Sequence, residues 1–270
     1  MILAKQSPLT SYNDLAEQYN RSLDEAERIS RWTAKRKLDM MGIHAYKAAT
    51  KTTLEARHIK ARRVWERWMR PMDVQYWQGV VFSDETRIYK DALHPSVKVK
   101  RPKNSRYDPR YFYYSEKYGG GGISFWGAIT YWGPGPLYRL YGSMDSPTYT
   151  NILGILKLDL QEMGIHQFIL QDDNLTAHRT PLVEQMKETL VIETIPSWPA
   201  NSPDLSPIEN IWGIWKTRVH ARQPRNLVEL EAVAVQVWDD LEPELFTTLY
   251  NQMPHRLALL RQAKGRRIKC

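Results

Sequence analysis

The chain has 270 residues, of which 42% are apolar and 11% aromatic, enough to bury a sizeable core. Lysine and arginine outnumber aspartate and glutamate 38 to 30, a formal charge of +8 with a pI near 9.4, and this excess points to a polyanionic partner. The single cysteine, Cys270, excludes an intramolecular disulfide and a cysteine-built metal site. No apolar run reaches the roughly 18 residues of a membrane span and MILAKQSPLT lacks the apolar core of a secretory signal, so a reducing, cytosolic or nuclear compartment is expected, with no membrane partner.

Residues 10 to 46 have helical spacing, with Leu15, Ala16 and Tyr19 on one face and Ile29, Trp32 and Leu38 on another. Ser11 with Asp14 and Ser22 with Glu25 stand at capping distance, and Gly42 follows Met41 where a helix end wants a residue tolerant of left-handed dihedrals. The second helix, SRWTAKRKLDMM, is short and basic. It reads as the recognition helix of a helix-turn-helix, with Arg31, Trp32, Thr33, Lys35, Arg36 and Lys37 as candidate DNA contacts. From Lys47 to Arg70 basic residues dominate, with Val64, Trp65 and Trp68 interspersed. This predicts a linker entering a helix that docks an aromatic edge and turns its charge to water or phosphate.

After Pro71 short apolar runs bounded by turn residues predict strands at 79–85, 110–115, 122–132, 136–142 and 166–173, and VIETIPSW adds another. TYTNILGILKLDLQEMG has helical periodicity, and beyond residue 180 the pattern is otherwise helical almost to the end. The arrangement predicts an α/β or α+β domain around a mixed sheet.

Two apolar runs end in acid, VVFSDE at Asp84 and Glu85 and FILQDD at Asp172 and Asp173. A carboxylate at a strand end is fixed in position yet open to water and ions, although each such acid can equally cap the next turn. Hard divalent cations take oxygen ligands, so a third converging acid would permit two ions and phosphodiester chemistry. Glu209 is the candidate. Ser206, Pro207 and Glu209 also match a capping box, which explains Glu209 without any metal.

Several motifs in order resemble the transposases of the Tc/mariner superfamily, members of the ribonuclease H-like class with a D-D-E or D-D-D metal triad. They are FSDET at 82–86, the glycine-rich segment 118–153, DNLTAH at 173–178 and SPDLSPIENIW at 202–212, while LTSYNDLAEQY and ISRWTAKRKLDMMGIHAYKA resemble the second helix-turn-helix of the family's DNA-binding region. The resemblance implies a ribonuclease H-like mixed sheet flanked by helices from about residue 76 to 270. A small all-α helix-turn-helix remnant (1–50) and a basic linker and helix (51–75) precede it. It implies Asp84, Asp173 and Glu209 as the catalytic and metal-binding triad, with Mg²⁺ as cofactor and Mn²⁺ able to substitute. Asp173 is preferred to Asp172 because it stands five residues before His178 and is followed by Asn174. The 35 residues between Asp173 and Glu209 are one more than in many members, and Leu175-Thr176-Ala177 lacks the usual proline. The first helix-turn-helix of the family is missing ahead of Met1, so the chain reads as N-terminally truncated. The implied activity is cut-and-paste transposition into TA targets by a homodimer on DNA in the nucleus. A decayed or domesticated DNA-binding copy is the alternative, and its mark would be the loss of one of the three acids.

Lesser features complete the expectations. The basic run containing Lys98, Lys100 and Arg101, interleaved with tyrosines, suits a DNA backbone-tracking surface. Four glycines at 119–122 are not followed by Gly-Lys-Ser/Thr, so a hairpin tip is expected rather than a nucleotide cradle. His178 fits a metal ligand, a DNA contact or a hydrogen-bonded structural histidine.

Overall fold

A computed structural model describes residues 12–21, 23–43, 54–90 and 121–269, and the chain divides into two compact units, 1–52 and 53–270. The predicted strand at 110–115 and the candidates Lys98, Lys100 and Arg101 lie outside the described residues, as do Ser11 and Ser22.

In the first unit α1 (Tyr12–Asn20) and α2 (Arg31–Met40) pack through Leu15 and Ala16 against Ala34 and Leu38. Asn20 clamps the turn between them, its side chain donating to and accepting from the Ile29 backbone at 2.9 Å. Ser30 caps α2 by accepting from the Thr33 amide, and Gly42, at φ +71°, closes it while the Ile43 amide bonds back to the Leu38 carbonyl. Trp32, expected on an apolar face, is exposed instead and lies 4.8 Å from the Arg31 guanidinium carbon.

The second unit is built on a five-stranded sheet of order β3-β2-β1-β4-β5. β1 (Val80–Tyr89), β2 (Gly122–Thr130) and β3 (Gly133–Leu140) form an antiparallel set. β4 (Ile169–Gln171) and β5 (Glu193–Thr194) run parallel to β1 on its other side. β1 is central because alternate residues serve both faces. Val80 and Phe82 join a core on one side and Val81 a core on the other.

The first face carries α7 (Ile208–Ala221), α8 (Leu227–Asp239), α9 (Pro243–Asn251) and α10 (Met253–Gln262), and the second carries α5 (Ser146–Glu162) and α6 (Pro181–Thr189). Buried tryptophans Trp212, Trp215 and Trp238 pack ring to ring on the first face, and Trp215 and Trp238 donate their indole N–H to the Ala234 and Gly135 carbonyls. Their area is therefore buried without loss of those hydrogen bonds, each side chain stabilising by about 1.5–3 kcal/mol or more.

The segment read as a basic linker and helix holds α3 (Ala56–Met69) and the short α4 (Val74–Gln78), and both belong to this second unit. Trp65 is buried while Trp68 is exposed. One basic residue does not face water: Arg62 is fully buried and pairs bidentately with Asp204 at 2.6 and 2.9 Å, also donating to Ser202 and the Gly265 carbonyl. The pairing ties α3 to the loop that leads into α7.

Candidate active site

Asp84 sits inside β1 rather than at its end. The expectation of a strand-end acid fails because β1 continues to Tyr89 by pairing with β2, where Asp84 faces Gly127. On the other side, however, β1 pairs with β4 only from Val80 to Phe82, the last partner being Gln171. Asp84 thus stands just beyond the end of the parallel pair, as Asp172 and Asp173 do on β4. The Ser83 hydroxyl, donating 2.9 Å to the Gln171 carbonyl, stitches the two strands at that height.

The two adjacent acids of β4 have different surroundings. Asp172 is 2% exposed, and its carboxylate takes Lys187 at 2.7 Å, Arg179 at 3.0 Å and the Tyr149 hydroxyl at 3.3 Å. Such a group is already neutralised. Asp173 is 41% exposed and caps its own turn by accepting from the Leu175 amide. Its other contact is His178, whose Nδ1 stands 2.8 Å from the Asp173 carboxylate while Nε2 stands 3.3 Å from Glu85. His178 is buried, stacks on Tyr149 with centroids 3.8 Å apart, and has neither ring nitrogen in hydrogen-bond alignment. Burial alone would favour its neutral form, but the Asp173 and Glu85 carboxylates prevail and push the imidazole up to about 9.

Glu209 occupies the first turn of α7. The predicted capping box is not formed: Ser206 gives its hydroxyl to the Gln171 side-chain carbonyl at 3.1 Å, and Pro207, already helical, occupies the cap position without a side-chain bond. The Ser206 side chain is turned toward β4 instead, and Glu209 keeps its carboxylate free of the cap. Asn210 is held by Arg256 at 2.7 Å. Further along, Trp212 packs against Gly127, where an added Cβ would come within 2.6 Å of its ring. Glycine at this one position lets α7 approach the sheet beside Asp84.

These anchors bring Asp84, Asp173 and Glu209 into one electrostatic field. The Asp84 carboxyl is pushed up to about 8, first by burial and then by the negative charges of Glu209, Glu85 and Asp173. Glu209 is raised too, chiefly by the protein atoms crowding its carboxyl, against the pull of Lys216. Among the described residues no three His, Cys, Asp or Glu stand close enough to enclose one ion. The arrangement still fits hard cations: three oxygen donors from three elements, with Glu209 and Asp173 both repelling charge on Asp84. Of the predicted DNA contacts on α2, Arg31, Trp32, Arg36 and Lys37 are exposed, Thr33 is partly turned into the cap, and Lys35 is paired with Asp39.

Gln171, Gly127 and Lys216 were missed by the sequence reading. Only Lys216 left a signal there, since it follows Glu209 by two helical turns.

Residues 79–231 match the family described as DDE superfamily endonuclease. A curated relative, the transposable element Tcb1 transposase of Caenorhabditis briggsae, is 28% identical over 237 residues, 87% of this chain and 86% of that one. Among solved structures, the Mos1 transposase paired-end complex with left transposon end superposes with a TM-score of 0.75 at 16% identity, over 99% of this chain and 78% of that one. The Mos1 mariner paired end complexes with Mn and with Mg each reach 0.74, at 16% and 17% identity, with the same coverage. At such identity these likenesses establish the fold, a ribonuclease H-like domain, and the family match covers more than half of the chain. The chain belongs to the DDE superfamily endonucleases, and its relatives among them are the Tc/mariner transposases.

Proposed function

We propose that the chain is a DNA transposase that hydrolyses phosphodiester bonds at its element's terminal repeats and joins the freed 3′ hydroxyl to target DNA at TA sites. In this reading Asp84, Asp173 and Glu209 hold Mg²⁺, with Mn²⁺ able to substitute. Bound divalent ions lower the pKa of an attacking water and neutralise charge on the phosphate. The chain's own residues do the rest. Ser83 and Ser206, both tied to Gln171, hold β1, β4 and the entrance of α7 together, while His178 stands between the Asp173 and Glu85 carboxylates. The helix α2 offers Arg31, Trp32, Arg36 and Lys37 to a duplex. A homodimer on DNA is part of the proposal.

The observation that carries the reading is that Gln171 of β4 accepts from Ser83 of β1 and from Ser206 at the entrance of α7, joining the three elements that carry Asp84, Asp173 and Glu209. The test is Mg²⁺-dependent nicking of DNA bearing the element's own terminal repeats, with Asp84→Asn alongside. Wild type is expected to nick and the variant to lose more than about 100-fold in rate, the order seen when one preorganised electrostatic group is removed. Equal nicking by the two would overturn the assignment.

A further inference from the structure

The first turn of α7 carries Glu209 without the side-chain cap that usually holds such a turn. Pro207 in the cap position makes no side-chain bond, and the Glu209 amide reaches the Ser206 carbonyl only at 3.4 Å. The amides that open a helix have no partner inside it, so an uncapped first turn frays unless something outside holds it. On the sheet side that brace is the Ser206 bond to Gln171. A second brace comes from 46 positions beyond Asn210: Arg256 of α10, only 1% exposed, donates 2.7 Å to the Asn210 side-chain carbonyl and reaches the Asp204 carbonyl at 3.5 Å. Asn210 is the neighbour of Glu209 in the same turn.

The chain that follows α10 keeps this guanidinium in place. It turns at Gly265, at φ +81°, so close to α3 that a Cβ would come within 2.5 Å of the Ile59 carbonyl. Arg62 of α3 donates to the Gly265 and Arg266 carbonyls at 2.9 and 3.2 Å. The tail then returns to the approach to α7, where the Ile268 amide and Arg267 donate to the Asp204 carboxylate at 2.9 and 3.3 Å. Burial alone would raise the Asp204 carboxyl, but Arg62 and the Ile268 amide prevail and hold it below its ordinary value. Thus α10 is fastened to the approach to α7 at both ends, through Arg256 in its first turn and through the tail beyond its last. A side chain locked in this way has few positions open to it, which is what precise placement of a neighbour requires.

We propose that Arg256 is a positioning residue for Glu209, acting through Asn210, and that the tail 265–268 belongs to the scaffold of the metal-binding acids. This rests on the transposase reading and adds to it a part of the chain that touches none of the three acids.

The experiment uses the full chain bound to terminal-repeat DNA, with Arg256→Gln, Asn210→Ala, the double variant, Asp84→Asn and Tyr138→Phe. Tyr138→Phe removes a 2.7 Å bond to Asp159 on the other face of the sheet and is the control for lost stability. Mn²⁺ uptake is measured by calorimetric titration well below the melting point of each variant, and single-turnover nicking is measured over a range of Mg²⁺. Arg256→Gln is expected to weaken Mn²⁺ uptake roughly 10-fold, the low end for loss of an outer hydrogen bond around a ligand, and to raise the half-saturating Mg²⁺ by the same factor. Asn210→Ala is expected to do the same, and the double variant to be no worse than either. Tyr138→Phe should melt lower and leave both quantities unchanged. Wild-type uptake in folded Arg256→Gln overturns the proposal, and so does an equal weakening in Tyr138→Phe, which would make the effect one of stability. A double variant weaker by the product of the single effects overturns the route through Asn210. If Arg256→Gln fails to fold, Asn210→Ala carries the test, and wild-type uptake there overturns it. Equal uptake by Asp84→Asn and wild type sinks the triad itself, whereas loss in Asp84→Asn with none in Arg256→Gln sinks the positioning role alone.

Discussion

The Ser206 hydroxyl donates 3.1 Å to the side-chain carbonyl of Gln171, joining the entrance of α7 to the last residue of β4. The Gln171 backbone carbonyl accepts from Ser83, so a single buried residue ties together the three elements that carry Asp84, Asp173 and Glu209. Ser206→Ala leaves a buried acceptor unmet and is expected to cost about 1–3 kcal/mol in chemical denaturation. Nicking should fall further than stability explains when assayed well below the melting point. A variant as stable and as fast as wild type would remove this tie from the account.

Gly127 makes a second, steric contribution. Gly127→Ala puts a Cβ 2.6 Å from the Trp212 ring and must push α7 away from β1, at a cost of about 1–3 kcal/mol. The displaced helix carries Glu209. Melting temperature and single-turnover nicking should both fall, whereas the same substitution at Gly213, with nothing within 4 Å of its Cβ, should lower neither through packing.

The neighbours Asp172 and Asp173 should separate cleanly into two phenotypes. Lys187→Met takes the nearer of two cations from a buried carboxylate that keeps Arg179, and is expected to destabilise by about 1–3 kcal/mol, and Asp172→Asn to lower the melting temperature. Asp173→Asn is expected to leave the fold nearly intact and to abolish the rise in melting temperature on adding Mg²⁺. Differential scanning fluorimetry with and without Mg²⁺ distinguishes them, and exchanged phenotypes would reverse the assignment of the second acid.

Without metal, stability should fall as pH rises from neutral. Asp84 is raised from 3.8 to about 8 and His178 from 6.5 to about 9, so the folded state holds protons that the unfolded chain has released. The stabilisation linked to each is complete below its unfolded value and is lost as pH climbs through the folded one. The Asp84 contribution should therefore decline from about pH 4 to 8 and that of His178 from about 6.5 to 9, so that melting in EDTA drops most steeply where the two overlap, above about pH 6.5. Divalent ions require the deprotonated carboxylate, so the Mg²⁺-induced rise in melting temperature should grow over the same window. Asp84→Asn should flatten both trends, and a wild-type protein equally stable in EDTA at both ends would contradict them.

The architecture was legible in the sequence wherever burial leaves a periodic mark. GVVFSDE, GISFWGAITYW and HQFILQDD became β1, β2 and β4 because residues feeding two cores must be apolar on both faces. The limits of β1 were not legible, since Thr86 to Tyr89 are strand only through pairing with β2. The cap at Ser206 failed for a related reason: a local motif cannot register that Gln171, 35 positions earlier, draws the Ser206 side chain toward β4. Arg62 in its basic run reads as solvated charge, and only Asp204, brought in from the α7 approach, makes its burial tolerable. The three acids were proposed through motif resemblance, while what surrounds them emerged from the fold.

The most direct test of the central claim is calorimetric titration of Mn²⁺ into the full chain bound to terminal-repeat DNA. Wild type should take up the ion, and Asp84→Asn, Asp173→Asn and Glu209→Gln should each lose most of that binding, while Asp172→Asn retains it at a temperature where it remains folded. Undiminished Mn²⁺ uptake in the folded Asp84→Asn variant would contradict the account.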